Sequence, residues 1–239
     1  MNNLKILTEG AAKLGLTLSE YQVNQLVKYK DLLLEWNEKM NLTAITDEKE
    51  VMIKHFLDAL SCATVSQINE NAKIIDVGTG AGFPGIPLKI YFPNVTLTLL
   101  DSLNKRINFL KTVCESIGLK NIQFVHGRAE DFGINKQHRE QYDIAVARAV
   151  AELNVLSEYC LPFVRVGGYF VCQKGPSIHE EIERGKKAIE ALGGRIVDRK
   201  DVVLPFSEIT HNIVIIEKVK NTPTKFPRKA GTPSKNPLI

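Results

Sequence analysis

The sequence predicts an α/β fold with a mostly parallel sheet and a helical extension before it. From residue 73 onward, short apolar runs alternate with amphipathic segments, which is the pattern of strands joined by crossover helices. The last two apolar runs, residues 195–204 and 211–217, leave no room for a helix between them, so we expect them to pair antiparallel. Before residue 66, the apolar residues follow helical spacing instead.

Each predicted strand or helix after residue 72 is short and bounded by polar or turn-forming residues. The strands are predicted at 73–77, 96–100, 122–125, 142–146, 169–172, 195–204 and 211–217. The helices are predicted at about 85–92, 103–117, 152–161 and 177–192. These segments give a sheet of seven strands.

Helical signals fill the first 65 or so residues. Gly15 is suited to end a first helix, and the tetrapeptide SEYQ at residues 19–22 has the pattern of a capping box. Thr46 or Asp47 is suited to cap a third helix. Because the connections are short, we expect residues 1–65 to form a helical cap on a main domain of residues 66–218.

Composition is that of an ordinary globular protein, with 239 residues, 24% charged residues and a formal net charge of +4. Charges interrupt every apolar run before it reaches the roughly 18 residues that span a bilayer, and no signal peptide is evident. The four cysteines are widely spaced without a ligand pattern, which indicates reduced thiols. We therefore expect a cytoplasmic protein without a membrane or metal partner. We also expect a monomer, although the sequence leaves the oligomeric state open.

A glycine-rich turn follows the first strand, in KIIDVGTGAGFPGIP at residues 73–87. Glycines tolerate positive φ, and a strand, turn and helix together form a nucleotide cradle. The spacing G-x-G-x-x-G that begins at Gly80, with Asp101 about 20 positions on, matches the dinucleotide fingerprint. The spacing D-x-G-x-G-x-G that begins at Asp76 instead resembles the first motif of class I S-adenosylmethionine-dependent methyltransferases. A bare structural turn is a third interpretation.

The predicted strand order separates these interpretations. Alternating strand–helix units that end in an antiparallel pair are typical of the Rossmann-like sheet of class I methyltransferases. A nicotinamide oxidoreductase would have six evenly alternating strands and a substrate domain. The sequence therefore favours the class I methyltransferase fold with an N-terminal helical extension.

Chemically useful side chains follow several of the parallel strands, at the edge where open α/β folds bind ligands. Asp101 closes the second strand, where a carboxylate can accept hydrogen bonds from both ribose hydroxyls or can cap the next helix. Ala129 and Glu130 follow the third strand and are candidates to frame an adenine edge. Arg148 after the fourth strand and Lys174 after the fifth provide cations at the same edge.

Residues 219–239 form a segment with four prolines, several basic residues and no acidic one. Composition alone is equally typical of a solvated tail. Phe226 and Leu238 indicate that parts of the segment pack. Basic groups stiffened by proline suit a phosphate backbone, so this segment is expected to complete an RNA-binding face through Lys225, Arg228, Lys229 and Lys235.

Several motifs together resemble the glucose-inhibited division protein B (RsmG) family of bacterial methyltransferases. They are WNEKMNLTAI, KHFLDAL, DVGTGAGFPGIPL, LLDSLNKRINFL, HGRAED, ARAVA, QKG and FPRKAGTPSKNPL, and they cover nearly the whole chain. The resemblance implies methyl transfer from S-adenosylmethionine to guanine N7 in small-subunit ribosomal RNA, either free or in a subunit. It implies cofactor contacts at Gly78, Phe83, Ala129, Glu130 and Arg148, with Asp101. From the glycine motif itself we also predict cofactor binding at Asp76, Gly80 and Gly82, where the two glycines shape the cradle.

The residues after the fourth strand are compatible with that chemistry. Methylation at cytosine C5 needs a cysteine nucleophile, and DIAVARA provides none. Guanine N7 carries a lone pair and no proton, so no general base is required, and Arg148 and Lys174 are expected to act by positioning. A small-molecule methyltransferase, a catalytically inactive RNA-binding module and, less favoured, an NAD-dependent oxidoreductase stay open as alternatives. The sequence assigns no roles to Asn41, His55 and Asp58.

Overall fold

The computed structural model describes residues 3–148, 151–176 and 178–239 of the chain. Its sheet contains the strands β1 (Lys73–Val77), β2 (Thr96–Asp101), β3 (Ile122–His126), β4 (Tyr142–Arg148), β5 (Val164–Lys174), β6 (Gly194–Val203) and β7 (Thr210–Lys218). Their spatial order is β3-β2-β1-β4-β5-β7-β6. Strands β1 to β5 pair in parallel, and β7 pairs antiparallel with both β5 and β6. This is the mostly parallel seven-stranded sheet predicted from the sequence.

The helices cover both faces of this sheet. They are α1 (Asn3–Lys13), α2 (Glu20–Met40), α3 (Glu48–Val51), α4 (Asp58–Ser61), α5 (Gly85–Tyr91), α6 (Asn104–Ser116), α7 (Ala129–Gly133), α8 (Leu153–Cys160), α9 (Ile178–Ala191) and α10 (Thr232–Lys235). The four helices predicted after residue 72 correspond to α5, α6, α8 and α9. The short helices α7 and α10 were not predicted.

Alternation along the strands divides the apolar residues between two cores. Ile74 of β1 points into a core that also holds residues of the N-terminal helices, α5 and α6. Its neighbours Ile75 and Val77 point into a second core with residues of α8 and α9. Because side chains on a strand alternate between faces, a strand buried on both sides is almost continuously apolar. The N-terminal extension thus packs on one face of the sheet.

The caps of the N-terminal helices match the sequence signals. Ser19 caps α2, and its side chain and that of Gln22 form the reciprocal hydrogen bonds of a capping box. Asp47, one of the two predicted candidates, accepts a hydrogen bond from the Glu50 amide and caps α3. Gly15 has a φ of 77°, as expected for a residue that follows a helix end.

A π-helical turn (Met52–Leu57) interrupts the predicted third helix, between α3 and α4. Apolar residues of this segment are buried, including Phe56 and Leu60. A π turn inserts a residue into the helical hydrogen-bond pattern and is frequent at functional sites. It carries His55 and leads directly into Asp58.

Strand β5 begins earlier than the sequence predicts. Tyr142 pairs with Val164, and the register then shifts before Ile144 pairs with Tyr169. The irregularity coincides with two glycines, and Gly167 has a φ of 81°. Glycine in a strand is typical of a bulge, which explains why the pattern concealed this end of the strand.

Candidate functional site

A cleft of about 240 Å³ lies at the carboxyl edge of the parallel strands. We call it the first cleft; its lining includes Gly78 after β1, Asp101 at the end of β2, Ala129 and Glu130 after β3, and Tyr159 of α8. Because β1 and β4 are adjacent where the strand order reverses, this edge is the usual ligand-binding location of an open α/β sheet.

The glycine turn needs residues that accept a left-handed backbone. Gly78, Gly80 and Gly82 have φ values of 69°, 62° and 102°. At Gly82 an added Cβ would also lie 2.5 Å from the hydroxyl of Tyr29, so a larger residue is excluded by space as well as by conformation. The Tyr29 hydroxyl donates a hydrogen bond to the carbonyl of Ala81, which ties helix α2 to the turn.

Asp76 supports this turn from beneath. It is fully buried, and its Oδ2 accepts hydrogen bonds from Thr79 Oγ1 at 2.7 Å and from the Gly85 amide at 2.8 Å. Burial raises the pKa of this carboxyl to about 6. Asp76 does not line the first cleft. The geometry therefore gives this predicted cofactor residue an indirect role, in which it holds the turn in shape.

Asp101 ends β2, as the sequence predicts, and it lines the first cleft. Its Oδ2 accepts a hydrogen bond from the Gly80 amide at 2.9 Å and from Arg106 Nη1 at 3.3 Å. Its Oδ1 accepts one from the Leu103 amide at 2.9 Å. These hydrogen bonds fix the orientation of both carboxylate oxygens, which suits a carboxylate that accepts hydrogen bonds from two neighbouring hydroxyl groups. Asp101 is not the N-cap of α6, because Leu103 occupies that position.

A second cleft of about 150 Å³ adjoins the first one at Gly78. Besides the glycine turn, its lining includes Thr43, His55, Phe83 and Arg148. A ligand that crosses the turn at Gly78 can therefore reach both clefts. The structure thus divides the predicted cofactor residues, with Asp101, Ala129 and Glu130 at the first cleft and Phe83 and Arg148 at the second.

Arg148 is held in place by groups from the N-terminal extension. Its Nη1 donates to Asp58 Oδ2 at 3.0 Å, and its Nη2 donates to His55 Nδ1 at 3.3 Å. The guanidinium also lies 4.9 Å from the centre of the Phe83 ring, in a cation–π contact. Ala149 and Val150 of the ARAVA motif lie outside the described residues.

His55 is neutral in this arrangement. Arginine nitrogens only donate, so Nδ1 of His55 must accept and Nε2 must carry the proton, which it donates to Thr43 Oγ1 at 2.6 Å. Burial, together with the Arg148 charge, lowers the pKa of His55 to about 4. His55 also stacks on Phe83, with ring centres 5.1 Å apart.

Asp58 connects Arg148 to His211 of strand β7. It is 2% exposed, and its Oδ1 accepts a hydrogen bond from His211 Nδ1 at 2.6 Å. Gln173 donates to the backbone carbonyl of Asp58 at 2.7 Å. Sequence reasoning left Asp58 without a role and missed His211, because 153 positions separate the two residues and no local pattern marks the pair.

The predicted cations differ in what they contact. Lys174 is buried, and its Nζ lies 2.6 Å from Glu181 Oε2 and donates to the Ala151 carbonyl. Arg228 is ion-paired with the buried Glu158. The other three predicted tail cations, Lys225, Lys229 and Lys235, are exposed. The geometry therefore leaves these three lysines, rather than Lys174 or Arg228, available to a phosphate chain.

Residues 3–148, 151–176 and 178–239 contain neither a metal-binding cluster nor a membrane-spanning helix. No group of three or more histidine, cysteine or acidic side chains there has the arrangement to hold a metal ion. None of the helices in those parts is both long and apolar enough to cross a membrane.

Comparison with known proteins gives consistent results. The family model GidB, described as rRNA small subunit methyltransferase G, matches residues 22–205. "Ribosomal RNA small subunit methyltransferase G" of Alkaliphilus metalliredigens (strain QYMF) is 63% identical over 238 residues, which is 100% of both chains. The protein of the same name from Clostridium botulinum (strain ATCC 19397 / Type A) is 52% identical over 238 residues, again 100% of both chains.

Solved structures share the fold at low sequence identity. A MtNAS variant in complex with S-adenosylmethionine matches with a TM-score of 0.56 and 14% identity, over 91% of this chain and 78% of that one. The Methanococcus jannaschii fibrillarin pre-rRNA processing protein matches with a TM-score of 0.51 and 24% identity, over 65% of this chain and 70% of that one.

Proposed function

The chain belongs to the rRNA small subunit methyltransferase G family, and on that premise we propose that it transfers a methyl group from S-adenosylmethionine to N7 of a guanine in small-subunit ribosomal RNA. The observation that carries the proposal is the first cleft, where Gly78, Asp101 and Glu130 from successive strands converge. The relatives supply the substrate class, and the cleft supplies a site suited to the cofactor.

The residues of the first cleft fit an adenosine. A fixed carboxylate at Asp101 suits the ribose hydroxyls, and Ala129 and Glu130 suit the faces and edge of a purine. The left-handed glycines let the ligand approach the backbone at the turn. When bound, S-adenosylmethionine would supply an electrophilic methyl group: the guanine N7 lone pair would bond to the methyl carbon as the carbon–sulfur bond breaks, S-adenosylhomocysteine would leave, and N7 would lose no proton.

The second cleft has the properties of a positioning site rather than of an acid–base site. The Arg148 guanidinium is fixed by Asp58, His55 and Phe83. His55 is neutral and uses both ring nitrogens in hydrogen bonds, so it has no free proton acceptor. Such a site orients reacting groups, which is the contribution that N7 transfer needs. Lys174 then acts indirectly, through Glu181 and the Ala151 carbonyl.

The cysteines support a mechanism without a covalent intermediate. All four, Cys62, Cys114, Cys160 and Cys172, are buried, and burial raises the pKa of each thiol. Methylation at a pyrimidine C5 would require an accessible thiolate.

We assign the remaining parts of the chain within this proposal. Residues 1–65 serve as a helical cap, residues 66–218 as the methyltransferase domain, and residues 219–239 contribute exposed lysines to an RNA-binding face. The protein acts as a monomer in the cytoplasm, on free ribosomal RNA or on a ribosomal subunit.

Methyl transfer to RNA is the direct test. Purified protein is incubated with S-adenosylmethionine labelled in the methyl group and with ribosomal RNA or small subunits from cells with and without the gene. After digestion to nucleosides, we expect labelled 7-methylguanosine only with RNA from the deletion strain. Label in another nucleoside would contradict the N7 assignment. Absence of label with both free and subunit-bound RNA would contradict the enzymatic function and favour an inactive RNA-binding module or a small-molecule enzyme.

A further inference from the structure

The C-terminal segment is anchored to the body of the protein by Arg139. Its guanidinium donates hydrogen bonds to the carbonyl oxygens of Thr222 at 2.6 Å, Phe226 at 2.8 Å and Gly133 at 3.0 Å. Gly133 is the last residue of α7, so this one side chain joins the segment to the helix that carries Glu130. Phe226 is buried in the second core. We call residues 222–235 the C-terminal strap.

Arg228 clamps the strap to α8. Its Nε donates to Glu158 Oε1 at 2.9 Å and its Nη2 donates to Glu158 Oε2 at 2.7 Å, while its backbone amide donates to Oε1 at 2.8 Å. Glu158 is fully buried and adjoins Tyr159, which lines the first cleft. A bidentate pair with a buried carboxylate fixes direction as well as distance.

The strap also contacts the wall of the first cleft directly. The amide of Gly231 donates a hydrogen bond to Glu130 Oε1 at 2.8 Å. Gly231 has a φ of 83°, a conformation that favours glycine and turns its amide toward Glu130. The side chain of Ser234 donates a hydrogen bond to the Gly231 carbonyl at 3.1 Å, which holds this part of the strap in shape.

We infer that the C-terminal strap is a positioning element of the cofactor site, in which Arg228 and Gly231 fix Glu130 and Tyr159 against the adenosine. This rests on the proposed function of the first cleft. The basic residues of the tail then fall into two groups with different roles. Arg228 faces a buried carboxylate, so its charge is neutralised within the protein, whereas Lys225 and Lys229 are exposed and unconstrained by such a partner.

The test compares Arg228→Ala with Lys229→Ala, its neighbour in sequence. Calorimetry at a temperature well below the melting point of every variant gives the Kd for S-adenosylhomocysteine and for adenosine. For Arg228→Ala we expect both Kd values to rise about tenfold, because the strap then no longer holds the wall of the first cleft in place. Arg228→Lys keeps the charge but not the bidentate fork, so it should restore only part of the affinity.

The control variant Lys229→Ala should change RNA binding and leave cofactor binding unchanged. Lys229→Ala should leave both Kd values within about twofold and reduce the slope of log K against log salt for ribosomal RNA by about one. If Arg228→Ala leaves both Kd values unchanged, or reduces the RNA salt slope as Lys229→Ala does, the strap is not a positioning element. If Arg228→Ala does not fold, Arg228→Lys gives the same decision. A wild-type protein that binds neither ligand would overturn the proposed function itself.

Discussion

His55 illustrates how neighbours set the state of single residues in this protein. Its ring is neutral because burial and the Arg148 charge both oppose protonation. The pKa of Asp76 shifts in the opposite direction, because burial favours the neutral, protonated form of its carboxyl and raises the pKa to about 6. The Asp58 carboxylate accepts hydrogen bonds from both Arg148 and His211, and its negative charge offsets the charge of the guanidinium.

The state of His55 predicts a pH dependence of stability. The folded pKa of about 4 lies below the unfolded value of 6.5, so the unfolded state binds more protons between these limits. His55 therefore lowers the free energy of unfolding as the pH falls from 6.5 to 4, by at most about 1.4 kcal/mol per pH unit. Asp76 acts in the opposite direction between pH 6 and 3.8.

Urea denaturation of the wild type and of His55→Gln across that range isolates the histidine contribution. We expect the free energy of unfolding of His55→Gln to fall less steeply with acidification, and the two slopes to agree above pH 7. Parallel curves from pH 7 down to pH 4 would show that His55 is not held neutral by the fold.

At the level of helices, the clearest local signal is the capping box of α2. Ser19 accepts a hydrogen bond from the Gln22 amide, and Gln22 Oε1 accepts one from the Ser19 amide at 2.9 Å. Helix α2 also carries Tyr29, which contacts the glycine turn. The cap therefore stabilises a helix that supports the site.

Ser19→Ala should reduce the free energy of unfolding by about 1 kcal/mol, the usual cost of losing a helix N-cap. The change should appear as a lower urea midpoint with an unchanged m-value. Ser66→Ala, at an exposed serine outside a helix start, is the matched control and should have little effect. Equal midpoints for Ser19→Ala and the wild type would mean that the capping box contributes nothing measurable.

Strands and longer helices were predictable from local patterns, whereas short or irregular elements were not. Alternation and helical spacing located every strand and each longer helix, because burial on one or two faces imposes these periods. The π turn at Met52–Leu57 was missed, since its extra residue leaves the apolar pattern intact. Helix α7 was missed because five residues are too few for a periodic signal.

Over the whole molecule, the topology explains which parts of the site could be predicted. Asp101 and Glu130 were found because they follow strands, and parallel strands end at one edge of the sheet. The contacts of Arg148 with Asp58 and of Arg228 with Glu158 join residues 90 and 70 positions apart. No sequence pattern marks such pairs, so Arg228 was predicted as an RNA ligand although the fold engages it internally.

The central claim is that S-adenosylmethionine binds in the first cleft, with Asp101 on the ribose. The most direct measurement is the calorimetric Kd of S-adenosylmethionine and of NAD for the wild type, Asp101→Asn and Asp143→Asn. Asp143 is a matched control, because it lies at the start of β4 and outside the cleft.

We predict that the wild type and Asp143→Asn bind S-adenosylmethionine and not NAD, and that Asp101→Asn binds about ten- to a hundredfold more weakly, as expected for a lost hydrogen bond to a charged group. Binding of NAD, or equal affinity of Asp101→Asn and the wild type for S-adenosylmethionine, would contradict the claim.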